Sequence, residues 1–131
     1  VMGRHTYEAI LHESRSPREF GMKVFVASTT LDAAQHHDVT IVAADLAETV
    51  AGLKHTSGKD IWLFGGGTTF RSLLDAGLVD RVEVSIIPVL LGSGIPLIPA
   101  GRRWALQFRD SRTFPSGIVS LTYHIASKPQ L

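Results

Sequence analysis

Ile61-Trp62-Leu63-Phe64-Gly65-Gly66-Gly67-Thr68-Thr69-Phe70-Arg71-Ser72-Leu73-Leu74-Asp75-Ala76-Gly77 is the stretch that decides the fold. Four apolar residues make a strand-like run, three glycines follow, and Phe70, Leu73 and Leu74 then recur at helical spacing over residues 68–76, with Gly77 placed to end the helix. A buried strand that passes through glycines into a helix is the junction of an α/β protein. Residues without Cβ let a ligand approach the main chain, and the first N–H groups of the helix face its negative charge. The same run also serves as a tight turn, so alone it does not specify a nucleotide.

The elements on either side support the α/β reading. Upstream, residues 6–11 carry Tyr7, Ile10 and Leu11 at helical spacing, with Thr6 or a neighbour as the expected cap. Residues 23–27 and 39–43 read as short strands, and Asp45 is expected to cap a helix with Leu46, Val50 and Leu53 on one face, closing near Lys54. Strands separated by helices imply parallel pairing. Downstream the character changes. Residues 81–88, 106–113 and 118–126 read as strands, and Pro115, Ser116 and Gly117 supply the turn of an antiparallel hairpin at the sheet edge. The expectation is one domain with a mixed sheet flanked by helices.

Composition sets the outer bounds. The chain has 131 residues, 44% hydrophobic and 19% charged, which suffices for a globular domain with its own core. A formal net charge of +1 with scattered basic residues makes nucleic acid a poor partner. No cysteine is present, which excludes a thiolate metal site or cysteine nucleophile and fits a cytoplasmic protein. No apolar run approaches the roughly twenty residues of a membrane helix, and Val1-Met2-Gly3-Arg4-His5 does not begin a signal peptide. That opening reads instead as the end of a strand entering a helix, so upstream sequence is expected.

Two further segments complete a candidate binding edge. Gly3, Arg4, His5 and Thr6 open the first helix with a glycine, a cation and a hydroxyl, suited to phosphate but also to an ordinary helix start. Ser28, Thr29 and Thr30 follow the strand 23–27, where their hydroxyls would bond a ribose or its phosphate, or merely cap Asp32 and its neighbours. In an α/β sheet, helix starts that follow strands share the carboxyl edge, where separated phosphates of a dinucleotide settle. The glycine spacing is not the Rossmann fingerprint. Residues 88–97, with two glycines and two prolines after a strand, fit a binding loop, a bulge or a dimer contact. His36 and His37 lack a carboxylate cluster at ligand spacing, no Gly-x-Ser-x-Gly elbow exists, and Asp75, Asp80 and Glu83 read as solvated, so no metal site and no catalytic acid is assigned.

In this order, Gly3 to Glu8, 61–67, 73–80, 87–97 and 111–117 resemble the dihydrofolate reductase-like family, which includes the C-terminal reductase domain of the bacterial riboflavin biosynthesis protein. The resemblance runs from Val1 to Ala126 and is nearest to uncharacterised bacterial single-domain members. It implies a three-layer α/β/α sandwich with a mixed, mostly parallel sheet and a C-terminal antiparallel hairpin. It also implies NADPH as cofactor, hydride transfer to a pterin or riboflavin-precursor-like substrate, and a homodimer. By the same resemblance, Gly3, Arg4, His5 and Thr6 would bind phosphate, with Arg4 or His5 near the adenosine 2′-phosphate. Ser28 and Thr29 would face the adenosine ribose, and Gly65, Gly66, Gly67, Thr68 and Thr69 would wrap the pyrophosphate. Many members carry an arginine where this chain has Thr29, and a hydroxyl balances a dianion less well than a guanidinium. The family's N-terminal strand, loop and helix are expected to be missing from residues 1–131, which read as a single domain without that segment.

Overall fold

The computed structural model describes residues 1–126. Backbone contacts divide the chain into two compact units, Val1–Leu78 and the part from Val79 onward.

In the first unit the chain enters the core at once. Strand β1, Met2–Gly3, is buried at both residues and pairs in parallel with β2, Phe25–Ala27, setting Met2 beside Val26 and Gly3 beside Ala27. β2 pairs on its other side with β3, Thr40–Val42, also in parallel. Val26, in the middle strand, is fully buried, and Met2, Tyr7, Ile10 and Val24 close around it. Val26 is β-branched within its strand, and Tyr7 and Ile10 stand three apart on the helix, so local propensity and burial agree at these positions.

Helix α1, Arg4–His12, starts earlier than the spacing suggested, because Gly3 rather than Thr6 occupies the N-cap. Its inward stripe is Tyr7 and Ile10, whereas Leu11 lies at the margin of the last turn and is exposed. Helix α2, Leu46–Lys54, follows β3 and buries Val50. Asp45 does stand at its N-cap, but with φ 53° and ψ 43° it is left-handed, and its side chain makes no capping bond. Capping through N2 or N3 needs an extended residue at that position, which explains the difference. Helix α3, Gly67–Asp75, buries Thr69, Leu73 and Leu74, with Phe70 half-buried.

Residues 61–64 depart from the expected buried strand. They run beside β1, with Val1 N donating to Trp62 O at 2.8 Å, Phe64 N donating to Val1 O at 2.9 Å, and a parallel bridge from Met2 to Gly65. The ladder stays this short because β1 offers only a few residues to pair with. Ile61 and Trp62 are accordingly exposed, and Trp62 instead packs edge-on against Phe64, 4.8 Å between ring centres.

The second unit is antiparallel: the expected hairpin of residues 106–113 and 118–126 forms, and residues 81–86 also pair antiparallel with its second strand. Strands β4, Arg81–Ile86, β5, Leu106–Thr113, and β6, Val119–Ile125, lie in the order β4-β6-β5. The β5–β6 turn closes through Phe114 N to Ile118 O and Gly117 N to Phe114 O, with Gly117 at φ 83° beside Pro88. A bulge between Phe108 and Asp110 shifts the register of β5. The α/β fold class expected from the sequence is therefore present, its parallel and antiparallel strands forming two separately hydrogen-bonded three-stranded sheets.

Candidate functional site

The register of the parallel sheet brings the expected ligand-facing residues to one edge. Gly3 stands beside Ala27, Ala27 beside Val42, and Met2 beside Gly65, so Arg4, Ser28 and Gly66 are each the next residue beyond the same end of their strands. That end is the carboxyl edge, where open α/β sheets place ligands.

Two helix starts meet there. A Cβ built on Gly66 would stand 3.3 Å from Thr6 Oγ1, 3.5 Å from Thr69 Oγ1 and 3.7 Å from Gly3 N. A Cβ on Gly3 would stand 2.5 Å from Thr69 Oγ1. The first turns of α1 and α3 are therefore side by side, joined through two glycines and two threonine hydroxyls. Neither N-cap, Gly3 or Gly66, supplies a side-chain cap, so the first-turn N–H groups are left for a ligand or water. Gly66 has φ 91°, a backbone state that side chains other than glycine adopt with strain. The combination is a glycine-lined cradle of main-chain donors at the positive ends of two helices, a fit for a pyrophosphate.

The remaining expected residues are placed less simply. Arg4 is committed to Glu8 on the next turn, its Nη1 donating to both carboxylate oxygens at 2.9 and 3.2 Å, while its Nη2 donates to His5 Nε2 at 3.0 Å. A phosphate would have to draw Arg4 from this half-exposed pair, which costs little. The role of Glu8 was not drawn from the sequence, although its i,i+4 spacing from Arg4 carries the signal. Ser28 is buried, and its Oγ accepts from Thr30 N at 3.2 Å and Leu31 N at 3.0 Å. It thus caps the turn that follows β2, while Thr29 and Thr68 are exposed beside it and beside the cradle respectively. Among the described residues, no group of three or more His, Asp or Glu is placed to hold a metal ion. Among the described residues, no helix is long and apolar enough to cross a membrane.

A parallel α/β unit with two helix starts meeting at its carboxyl edge, followed by an antiparallel three-stranded sheet, is the layout of the reductase-like class anticipated from the motifs. The chain belongs to the RibD C-terminal domain family, whose sequence pattern matches residues 13–120. Ser28, Thr29 and Gly65 to Thr69 fall inside that span, and Gly3 to Thr6 precede it.

Among curated proteins, the chain is 44% identical over 81 residues to the uncharacterised protein YyaP of Bacillus subtilis, a match that covers 61% of this chain and 43% of that one. It is 30% identical over 97 residues to the uncharacterised protein YwjB of the same organism, covering 74% of this chain and 56% of that one. The chain thus spans about half the length of the curated relatives it matches. Among solved structures it is similar to one from Shewanella sp. PV-4, provisionally assigned to riboflavin biosynthesis, with TM-score 0.80 and 25% identity, covering 95% of this chain and 72% of that one. A pyrimidine reductase-like protein of Corynebacterium diphtheriae shares the fold, with TM-score 0.71 and 15% identity, covering 97% and 75% respectively.

Proposed function

We propose that this chain binds NADPH and forms part of a reductase that delivers hydride to a small heterocyclic or conjugated substrate of pterin or riboflavin-precursor type. The observation that carries the reading is the cradle in which Gly3, Thr6, Gly66 and Thr69 converge at two helix starts. Family membership and the pyrimidine reductase-like neighbour support the reductase class.

The bound nicotinamide would supply the hydride. The chain's own residues would hold and orient the cofactor: the first-turn amides of α1 and α3 would take the pyrophosphate, Thr6 and Thr69 would line its approach, and Arg4 or His5 would take the 2′-phosphate. Ser28 and Thr29 would border the adenosine ribose. Holding two rings in contact is most of what hydride transfer asks of a protein, so no ionisable catalyst is assigned. The test is loss of NADPH absorbance on mixing the full-length protein with pterins and pyrimidine riboflavin precursors. Cofactor oxidation that needs both protein and substrate supports the reading, and binding without oxidation on any of them favours a nucleotide-binding module that does not turn over.

A homodimer belongs to the same proposal. In the second unit Ile86, Val89, Leu91 and Phe108 are each more than half exposed, and Leu90 and Ile95 are almost wholly so. An apolar surface of this kind marks an interaction site, which also supports a structural, dimer-forming role as the second reading.

A further inference from the structure

Tyr7 is almost fully buried on the inward face of α1, one residue after Thr6, yet its phenol is not aimed at the glycine cradle. Its Oη lies 3.0 Å from Nδ1 of His36, and the two rings meet edge to face with centres 5.4 Å apart. His36 ends the short 3-10 helix Ala33–Gln35, inside the segment 28–39 that connects β2 to β3. That segment starts at Ser28, whose Oγ organises its first turn, and Leu31 packs it onto the core. Its far end is held twice: by Tyr7 through His36, and by an ion pair from Arg18 to Asp38.

Burial first, and the Asp38 charge second, keep the Tyr7 phenol protonated, so its O–H is available to donate to His36 Nδ1. A buried phenol needs such a partner, and here the partner lies 29 residues away, on the connection between β2 and β3.

We infer that the Tyr7–His36 hydrogen bond is a positioning device that fixes the 28–39 segment against α1 and so sets the placement of Ser28 and Thr29 for the adenosine end of the cofactor. The inference rests on the proposed cofactor reading. It assigns to Tyr7 and His36 no contact with the ligand. Their effect is through the segment, and it falls on the adenosine end rather than on the glycine cradle.

The test measures affinity for NADPH and for adenosine 2′,5′-bisphosphate in the wild-type protein and in Tyr7→Phe, His36→Leu, His36→Asn and the Tyr7→Phe/His36→Leu double variant. Loss of one partially buried hydrogen bond predicts adenosine 2′,5′-bisphosphate binding weaker by about three- to tenfold in Tyr7→Phe and in His36→Leu. The double variant is expected to be no weaker than either single one, and His36→Asn, which retains an acceptor near the Nδ1 position, to bind as wild type. Amide hydrogen exchange in Tyr7→Phe is expected to rise in 28–39 and stay unchanged in β2, which a general loss of stability would not produce. Wild-type affinity in both Tyr7→Phe and His36→Leu overturns the inference while leaving the cofactor reading standing, as do additive losses in the double variant. Absence of NADPH binding by the wild-type protein overturns both.

Discussion

Thr69 Oγ1 occupies the space that a side chain on Gly3 would need, 2.5 Å from the ideal Cβ position. Gly3 ends β1 and caps α1, and Thr69 lies in the first turn of α3, so the two helix starts meet at this contact. Both residues are buried, and neither can retreat into solvent.

Gly3→Ala therefore destabilises the fold, by about 1–3 kcal/mol as for other overpacked sites. Gly3→Ala/Thr69→Ala removes the clashing oxygen and recovers part of the loss, since the nearest atom remaining from Thr69 is its Cβ at 3.8 Å. Urea denaturation midpoints check both, and a Gly3→Ala protein as stable as wild type would contradict the contact.

Gly66→Val acts on the cradle itself. The φ of 91° and the 3.3 Å approach to Thr6 Oγ1 predict a folding cost of roughly 1–3 kcal/mol from backbone strain. The branched side chain also fills the space beside the α3 amides, so NADPH affinity is expected to fall more than tenfold, about 1.4 kcal/mol or more. Far-ultraviolet circular dichroism establishes whether the variant is folded before fluorescence titration reads the affinity. A folded variant with unchanged affinity removes the cradle from the site.

Alkaline pH should weaken the first unit through Tyr7. Burial first, and the Asp38 charge second, raise its phenol above the ordinary tyrosine range. A raised folded-state pKa means that the folded protein prefers the protonated phenol, so this stability is fully present below about pH 10 and is lost as pH rises through the higher folded value. Denaturation midpoints followed into that range should fall in the wild type and fall less in Tyr7→Phe. Parallel profiles for the two proteins would show that Tyr7 is not the group responsible.

The exposed apolar surface of the second unit predicts self-association. Light scattering at micromolar concentration is expected to give a dimer mass for the wild type and a monomer mass for Leu90→Asp/Ile95→Asp, two residues with nearly complete exposure. A wild-type monomer rules the dimer out.

Much of the fold was legible because it is local. The spacing of Phe70, Leu73 and Leu74 located α3 to within a residue at each end, and Pro115-Ser116-Gly117 located the hairpin turn. The α/β class followed from the alternation of such elements. What the sequence did not give in advance depends on partners elsewhere in the chain. Residues 61–64 look like a buried strand by composition, but a strand is made by its neighbours, and β1 offers them only a short ladder. Asp45 has the residue type of a cap without the backbone conformation of one. In the site, glycines and hydroxyls announced the binding edge, and their meeting across 63 residues, Gly3 to Gly66, came only with the parallel register. The commitment of Arg4 to Glu8 is written in their i,i+4 spacing, whereas that of Tyr7 to His36, 29 residues apart, depends on the tertiary fold.

On the proposed function, the two helix starts at the carboxyl edge of β1 and residues 61–65 hold a dinucleotide. The most direct measurement of this is calorimetric titration of NADPH into wild-type protein and Gly66→Val in parallel. Saturable one-site binding to the wild type, lost or sharply weakened in the folded variant, is the predicted result. No saturable binding to the wild type at millimolar cofactor would contradict it.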